Sequence, residues 1–400
     1  MLAAVIGGNL QGVEATYLCQ KAGWEVVVID RNPGAPASGL CDSFVQLDIT
    51  PERGEMRLAR EADIVIPALE NEDALATLGR WTEIEGIPYA FDPEAYAISS
   101  SKARSNRLFL QLGIPTPESW PTCGFPVIAK PSKGSGSQGV HVVHDMNQLQ
   151  CHVPVTGPSD DWVIQEYLPG PSYSLEVIGF SGQYKALQIT DLAMDADYDC
   201  KRVLAPTELS EVLAAEFEEI SLVLAEAVRL RGVMDVEVIV HDGVPKVLEI
   251  DARLPSQTPT AVYWSTGVNI VEILAEVFLR GSLENLMELN SKCGSRMRPP
   301  RGVIYEHIRV CRDALEVAGE HIMTGAGPLH IRRDFFGADE AITNYEPGLD
   351  EWVATLIVSG TDQQDAWDGR CHVIGEMRRW FGLGTYLDLS VPDYSAAFVV

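Results

Sequence analysis

Short, uninterrupted apolar segments alternate with helical patterns over residues 1–92, and this alternation restricts the possible folds more than any other feature of the chain. The apolar segments read "AAVIGG", "WEVVVID", "SFVQLDI", "ADIVIPAL" and "PYAF", and the helical patterns lie at residues 11–22 and 71–85. Strands that are apolar on both faces and separated by helices are typical of a parallel sheet covered on both sides. The sequence therefore predicts a Rossmann-like α/β domain at the N-terminus.

The rest of the chain must form further domains, because 400 residues exceed what one hydrophobic core usually supports. A long helical pattern over residues 92–113 is followed by the proline-rich segment "IPTPESWP", which indicates a domain boundary. We predict a linker helix and a small lobe over residues 93–175, a large lobe over 176–285 and a C-terminal α+β part over 286–400. The predicted fold class is thus α/β at the N-terminus and α+β beyond it.

Charge, hydropathy and cysteine usage exclude several classes of protein. The net charge of −27 argues against a nucleic-acid partner, because phosphate backbones are bound by clustered Lys and Arg. No segment approaches the ~18 consecutive apolar residues of a membrane span, so we expect no membrane association. The eight cysteines are scattered without a CxxC pair, and the N-terminus does not resemble a secretory signal. Reduced thiols and a cytoplasmic location are therefore expected.

The turn "GGNLQG" lies between the first predicted strand and the first predicted helix. Free backbone N–H groups and the helix dipole favour an anion at such a position. Asp30 ends the second predicted strand, about where a dinucleotide-binding fold holds a ribose. The spacing is GGxxxG rather than GxGxxG, so NAD binding, another anion and a turn without a ligand all remain open.

Lys130 ends a predicted strand in "VIAKPSKGSGSQGV" and is followed by a loop that contains Ser132, Ser135 and Gly136. Glycine lets backbone N–H groups approach phosphate oxygens closely, the serines add donors, and the lysine adds positive charge. The loop is not a Walker loop, because no helix with GK[ST] follows. It predicts a flap over a nucleotide, with a plain hairpin loop as the alternative.

The segment "WVIQEYLPG" follows the glycine-rich loop by some thirty residues and ends at a Pro-Gly turn. A purine needs one donor and one acceptor from an extended backbone, and Glu166, Tyr167 and Leu168 supply such a backbone. Any strand before a Pro-Gly turn has this appearance, so the interpretation depends on the distance from the glycine-rich loop.

The segment "MDVEVIVHDGVPKVLEIDAR" reads as a hairpin with acidic residues on both strands. A two-residue turn at "DG" would place Glu237 opposite Leu248. A three-residue loop with a glycine bulge would instead place Glu237 opposite Glu249, and Asp235 opposite Asp251. Only the second register gathers the acids on one face, and it is the register that we expect.

Carboxylates that face one another should either have raised pKa values or bind a cation, and oxygen ligands favour Mg²⁺ shared with phosphates. A solvated sheet face is the alternative. Arg253 follows on the same face if the strand continues, and its planar fork suits a carboxylate that gains charge on phosphorylation. A salt bridge from Arg253 to the acids is an equally simple interpretation, and the two roles are compatible.

Taken in order, a Rossmann-like start, Lys102, "IAKP" with a glycine-rich loop, "QEY" and the acidic hairpin with its arginine resemble the ATP-grasp ligases. The resemblance covers residues 1–280 and implies a two-lobed ATP-grasp fold with a C-terminal extension, and ATP and Mg²⁺ as cofactors. By this resemblance Lys102, Lys130 and the glycine-rich loop contact the phosphates, Glu166, Tyr167 and Leu168 contact the adenine and ribose, and Lys130 and Arg253 are catalytic. The implied metal ligands are Glu237, Glu249 and Asp251, the last in place of the usual asparagine.

Within that superfamily, "GGNLQGVEA", "PSYSLEVIG", "YDC", "GVMDVE" and "EIDARLPSQTPT" resemble the ligases of pyrrolysine biosynthesis, which join (3R)-3-methyl-D-ornithine to the ε-amine of L-lysine. The resemblance implies that Gln11, Gly12 and Glu70 hold L-lysine. From the residues themselves, an acidic pocket built with Glu176, Glu70 or Asp199 could recognise the cationic amines of a diamino acid. The resemblance also implies an ornithine site. The residues implied for the ornithine site are Ser172, Ser174, Glu176, Asp235, Arg253, Ser256 and Gln257.

Three other functions remain open at this point. The chain could be an ATP-grasp ligase for another carboxylate and amine, such as a dipeptide ligase or a carboxylase relative. It could be an NAD-dependent dehydrogenase built on the first domain, although the glycine-rich loop and the acidic hairpin would then have no role. It could also bind a nucleotide without turnover. Small amino-acid substrates are the expected partners, and a homodimer is compatible with the sequence.

Overall fold

A computed structural model describes residues 1–50, 61–134, 136, 139–153, 160–283 and 300–391. The N-terminal part is a parallel sheet, as predicted, and its strand order is β3-β2-β1-β4. Its strands are β1 (Leu2–Ile6), β2 (Glu25–Asp30), β3 (Ser43–Gln46) and β4 (Ile64–Pro67), and its helices are α1 (Leu10–Lys21) and α2 (Glu72–Glu85). The segment "PYAF" contributes one isolated bridge, from Tyr89 to Val65, rather than a strand.

The helical pattern over residues 92–113 forms two helices rather than the single helix that was predicted. Helix α3 spans Pro93–Ser99 and helix α4 spans Lys102–Leu112. The break occurs because Ser101 has an extended backbone and its side chain accepts a hydrogen bond from the N–H of Arg104, as an N-cap residue does. Lys102 therefore lies in the first turn of a new helix that points at the lobes that follow.

The small lobe is an antiparallel sheet in the order β6-β5-β7. Its strands are β5 (Val127–Pro131), β6 (His141–Val143) and β7 (Trp162–Glu166), and its helix α5 spans Met146–His152. Val127, Ala129, Val143 and Leu149 form its small core. Ser135 and Ser137 of the glycine-rich loop lie outside the described residues.

One large sheet contains the acidic hairpin and the C-terminal strands; within the described ranges it has 12 strands. The strands of the large lobe are β8 (Ser172–Phe180), β9 (Gln183–Ala186), β10 (Thr190–Met194), β11 (Cys200–Ala205), β12 (Gly232–His241) and β13 (Val244–Asp251). The C-terminal strands are β14 (Gly302–Cys311), β15 (Ala314–Val317), β16 (His330–Phe335), β17 (Ala338–Thr343), β18 (Glu351–Gly360) and β19 (Thr385–Asp388). Because β11 pairs with β14, the C-terminal part continues the sheet of the large lobe.

Four helices accompany the large sheet: α6 (Glu211–Ala227), α7 (Thr258–Thr266), α8 (Ile270–Ala275), which continues as a π-helical turn over Glu276–Arg280, and α9 (Gln363–Phe381). In the described part of the chain no single helix has the length and apolar character to cross a membrane. One pair does so by length and composition together, Thr258–Thr266 with Ile270–Arg280, and it is bent by 100°.

The cysteines of the described residues are free thiols, in agreement with the expectation from the sequence. Cys293 lies outside the described residues.

A buried ion network ties the last strand to the large sheet. Glu306 on β14 is fully buried and accepts hydrogen bonds from Arg370, at 2.9 Å from both Nε and Nη2, and from Arg202. Asp388 on β19 lies 2.8 Å from Nη2 of Arg202 and 2.7 Å from Nζ of Lys201. A buried pair of this kind gives little net stability, but the loss of one partner leaves an uncompensated charge in the interior. The network thus fixes where the C-terminal strand lies.

We expect Glu306→Gln to lower the free energy of unfolding by about 3–5 kcal/mol, because Arg202 and Arg370 would lose their fully buried counterion and would share only the partly buried Asp388. The matched control is Glu316→Gln, which removes the partly exposed pair with Arg309 and should cost about 1 kcal/mol or less. Urea unfolding of both variants measures the difference. Equal losses for the two variants would contradict the structural role of the network.

Candidate active site

Five carboxylates lie on one face of three neighbouring strands. Strand β12 pairs with β13 so that Glu237 is opposite Glu249 and Asp235 is opposite Asp251. On its other side β12 pairs with β8, and Asp235 is opposite Glu176. Cross-strand partners project to the same side of a sheet, so the acids form one continuous patch.

The predicted register of the hairpin is correct, but the predicted loop is wrong. The turn has two residues, Asp242 and Gly243, with φ of 50° and 74°, as expected of a type I′ turn. Such a turn alone would set Glu237 opposite Leu248. A β-bulge shifts the register between Glu237 and Val238, so Leu248 is the extra residue and Glu249 takes the opposing position.

The carboxylates of the patch differ in their protonation. Burial and the neighbouring Glu249 raise the pKa of Glu237 well above its ordinary value. Burial raises the pKa of Asp251 to about 6, although Arg253 opposes this. Burial also acts to raise the pKa of Glu249, but the ammonium groups of Lys102 and Lys130 outweigh it and hold that pKa below its ordinary value. The patch therefore carries fewer charges than carboxylates, and a cation would relieve the remaining repulsion.

Three basic side chains surround the acidic patch. Nζ of Lys102 lies 3.0 Å from Oε2 of Glu249 and donates to the backbone oxygen of Gly134 at 2.7 Å. Lys130 is almost fully buried, and burial lowers its pKa. Nη2 of Arg253 lies 2.7 Å from Asp251. The basic groups thus partly neutralise the negative charge of the acidic patch.

The donor atoms of the acidic patch can be compared with those that Mg²⁺ requires. No group of three His, Cys, Asp or Glu side chains in the described residues forms a metal cage by itself. Two features nevertheless fit a divalent cation: Glu237 and Glu249 oppose each other directly, and Oδ1 of Asp251 is buried without a hydrogen-bond partner in the described residues. Mg²⁺ commonly takes only one or two protein carboxylates and completes its shell with phosphate oxygens and water. The donor set fits that mode.

A cavity of about 480 Å³ lies between the small lobe and the large sheet. Of the residues predicted to contact a nucleotide, those that line it are Lys102, Lys130, Gly136, Glu166, Tyr167 and Leu168. Its apolar walls come from both sides, with Ile128 and Val140 from the small lobe facing Leu192 and Leu248. Ser390 and Val391, which follow the last strand, complete the wall. A flat apolar ring with a charged tail would fit this cavity.

The segment predicted to contact a purine has part of its backbone and side chains already engaged. The N–H of Tyr167 donates to the oxygen of Pro126 at 3.1 Å. The carboxylate of Glu166 accepts from Nζ of Lys246 at 2.6 Å and from the N–H of Glu118 at 2.9 Å. Burial acts against ionisation of Glu166, but these bonds dominate and lower its pKa. Its side chain is thus a fixed anion at the edge of the cavity.

A second cavity of about 530 Å³ lies between the first domain and the large sheet. The predicted substrate residues that line it are Gln11, Glu70, Asp235, Arg253, Ser256 and Gln257. Glu70 accepts from Nε2 of Gln11 at 3.0 Å and lies 2.6 Å from Nη2 of Arg253, so the first domain and the hairpin meet here. The two cavities share Glu237 and Glu249 in their walls. The acidic patch is therefore their junction.

Several predicted site residues line neither cavity. Gly12 packs against the backbone of Gly7, where an added Cβ would lie 2.2 Å from the oxygen, so it serves the contact of helix and strand. Ser132 is buried and accepts from the N–H of Ala103 at 3.1 Å. Ser174 donates to Asp235 at 2.5 Å.

Two further residues predicted for the ornithine site do not line the second cavity. Glu176 is fully buried and lies opposite Asp235, which does line the second cavity. Ser172 lines the nucleotide-side cavity rather than the second one.

The structure adds residues that the sequence did not indicate. Glu320 and His321 line the second cavity, and both come from the C-terminal part, in which no chemistry was readable. Asp199, which was considered only as part of an acidic wall, lies 2.9 Å from Nδ1 of His321. Glu14 on α1 is fully buried and accepts from the N–H of Thr260 at 2.6 Å. No local pattern marks these residues, because their proximity results from pairing across the large sheet.

The contacts of Asp30 bear on the three interpretations that the first-turn glycines left open. Oδ2 of Asp30 accepts from the N–H of Gly8 at 2.7 Å, and Oδ1 accepts from the N–H of Asn32 at 2.7 Å. The carboxylate that would hold a ribose is therefore used within the turn itself, which favours the interpretation as a turn without a dinucleotide.

Glu176→Gln tests the electrostatics of the buried acids. Burial raises the pKa of Glu176 from 4.5 to about 7, so the folded protein binds this proton more tightly than the unfolded chain does. The stability that this proton contributes is complete below pH 4.5 and is lost as the pH rises to about 7. The variant should therefore gain about 3 kcal/mol over the wild type between pH 4.5 and pH 8 in urea unfolding.

Glu219→Gln, on the exposed side of α6, is the matched control and should show the same pH dependence as the wild type. A wild-type protein and a Glu176→Gln variant with parallel pH profiles would contradict the assigned burial.

Comparisons with known proteins show which family and which fold the chain shares. The profile of the ATP-grasp domain family matches residues 99–257. The chain is similar to the 3-methyl-D-ornithine--L-lysine ligase of Methanosarcina mazei, with 35% identity over 371 residues that cover 90% of this chain and 91% of the relative. The ligase of the same name from Methanosarcina acetivorans is 36% identical, over 90% of this chain and 93% of the relative. Biotin carboxylase from Campylobacter jejuni shares the fold, with a TM-score of 0.68 and 15% identity over 95% of this chain and 96% of that chain.

Proposed function

Since the chain belongs to the ATP-grasp ligases and, within them, to the family of the 3-methyl-D-ornithine--L-lysine ligases, we propose that it joins the carboxylate of (3R)-3-methyl-D-ornithine, or of D-ornithine, to the ε-amine of L-lysine in pyrrolysine biosynthesis. ATP is cleaved to ADP and phosphate in the reaction. The observation that carries the proposal is the junction of two cavities at Glu237 and Glu249, with Lys102 and Lys130 on one side and Arg253 on the other.

The nucleotide belongs in the first cavity. Its adenine would lie between the apolar walls against the backbone of Glu166 to Leu168, and its phosphates would point at Lys102 and Lys130. Glu237, Glu249 and Asp251 would hold Mg²⁺, which supplies charge neutralisation of the phosphates when bound. Lys102 pairs with Glu249, and we expect its ammonium group to contact the phosphate oxygens as well. The pair with Glu249 holds the lysine in place for that contact.

The carboxylate substrate belongs at the junction, beside Arg253. A carboxylate and an ammonium group do not condense in water at useful rates, so the carboxylate must first become an acyl phosphate with a good leaving group. Arg253 is fixed by Asp251 and Glu70 on one edge, and its Nε is buried without a partner in the described residues. A planar fork held in this way can orient a carboxylate and stabilise charge on the transferring phosphoryl group.

The cationic parts of both amino acids would lie in the second cavity. Its wall carries Glu70, Asp199, Asp235 and Glu320, whose carboxyl oxygens can accept hydrogen bonds from the ammonium groups of diamino acids. Gln11 and Glu70 of the first domain would hold L-lysine, and Ser256 and Gln257 would contact the ornithine. The D-configuration and the methyl group of the substrate are supported by the family membership rather than by a contact.

The proposal is tested by incubating the protein with ATP, Mg²⁺, L-lysine and D-ornithine. We expect phosphate release that requires both amino acids, and a product whose mass equals the two amino acids minus one water. Phosphate release with an unrelated carboxylate alone, such as D-alanine or bicarbonate, would instead assign the chain to another reaction of the superfamily.

Glu249→Gln should lower kcat for ADP formation by about 10²- to 10³-fold, because the variant loses charge that faces the metal and Lys102. Asp242→Asn is the matched control on the same hairpin; its side chain is 90% exposed at the turn, and asparagine tolerates the positive φ found there. The control should retain wild-type kcat. A Glu249→Gln variant with full activity would remove the acidic patch from the mechanism.

A further inference from the structure

His321 lies beside the junction of the two cavities. It lies in a short 3₁₀ helix, Glu320–Met323, and lines the second cavity. Gly136 of the glycine-rich loop lines both cavities and touches the same imidazole. A Cβ added at Gly136 would lie 2.2 Å from Cε1 and 2.5 Å from Nε2 of His321. The Cε1–Nε2 edge therefore faces the place where the two cavities join.

Asp199 fixes the orientation of that imidazole. Its Oδ2 lies 2.9 Å from Nδ1 of His321 and also accepts from the backbone N–H of His321 at 3.0 Å. With Nδ1 engaged by a carboxylate, Nε2 is the nitrogen that is left to exchange a proton. No hydrogen-bond partner of Nε2 lies among the described residues. This is the arrangement of an oriented base.

The conformation of the loop that carries Asp199 brings this carboxylate close to His321. Asp195 accepts from the N–H of Asp197 at 2.8 Å and of Asp199 at 3.0 Å, and Tyr198 between them has a φ of 65°. Gly319 allows the close approach, because a Cβ there would lie 2.0 Å from Oδ2 of Asp199. Strain and close contacts of this kind persist where the surroundings enforce a particular geometry.

The charges around His321 favour proton uptake. Asp199 and Asp195 face it from the loop after β10, Glu320 precedes it in the 3₁₀ helix, and the buried His307 faces it from β14. The hydrogen bond to Asp199 raises the pKa of His321, and burial opposes this only in part. A base with a pKa near the working pH is the most effective in proton transfer.

We propose that His321, oriented by Asp199, is the general base that deprotonates the attacking amine, an inference that rests on the proposed function. The ε-ammonium group gives one proton to Nε2 of His321, and the freed electron pair of the nitrogen forms the C–N bond with the acyl carbon. The acyl C–O bond breaks with its electron pair going to phosphate. Phosphate takes the second proton that the nitrogen must lose, and His321 returns its proton to water.

Hydroxylamine separates this step from the formation of the acyl phosphate. It is uncharged at neutral pH and needs no base before it attacks, whereas L-lysine arrives as an ammonium ion. With ATP, Mg²⁺ and D-ornithine, His321→Gln should form the hydroxamate at close to the wild-type rate. The same variant should lose about 10²-fold in kcat/KM for L-lysine, the range of general-base catalysis.

Two further variants complete the experiment. Asp199→Asn should also lower the rate with L-lysine more than the rate with hydroxylamine, because it misorients the base without removing it. His330→Gln is the matched control; this histidine is exposed, belongs to the same C-terminal part and lines neither cavity, so both rates should be unchanged.

The outcomes are distinguishable from a failure of the proposed function. If the wild type forms no hydroxamate with D-ornithine, the proposed function is wrong and the inference falls with it. If the wild type does so and His321→Gln loses both reactions equally, His321 serves the glycine-rich loop or the nucleotide rather than the amine. If the variant keeps both reactions, His321 has no part in catalysis.

Discussion

The opposition of Glu237 and Glu249 across the hairpin is the interaction on which the rest of the site depends. Two carboxylates in direct cross-strand contact repel each other, and burial increases the cost. The protein offsets this with Lys102 and Lys130, and by a raised pKa at Glu237. The site retains a donor atom, Oδ1 of Asp251, that a phosphate-bound cation could use.

The β-bulge at Leu248 shifts the strand register so that the acidic residues of the hairpin oppose each other. Asn-Gly and Asp-Gly turns close hairpins well because their positive φ angles match the twist of the strands. The turn at Asp242 and Gly243 keeps that advantage, and the bulge then moves Glu249 into line with Glu237. The turn therefore closes the hairpin, and the bulge sets the positions of the acidic side chains.

The continuity of the large sheet explains why the C-terminal part contributes to the site. Strand β14 joins β11, so the residues that follow β15 return to the face that carries the acids. The ion network around Glu306 and Asp388 holds the last strand, after which Ser390 and Val391 reach the nucleotide-side cavity. One sheet thus delivers residues to both cavities from positions far apart in the chain.

The sequence by itself determined the parallel first domain, the small lobe with its glycine-rich loop and the acidic hairpin, because each of these follows from local periodicity and spacing. It also indicated the family, since several motifs stand in a fixed order. Only the tertiary structure decided that Glu176 and Ser174 are buried while Ser172 faces the other cavity, and that His321 meets Asp199 and Gly136. Those relations depend on the pairing of β8 with β12 and of β11 with β14, which are far apart in the chain, and no local pattern of side chains records which distant strand will be the neighbour.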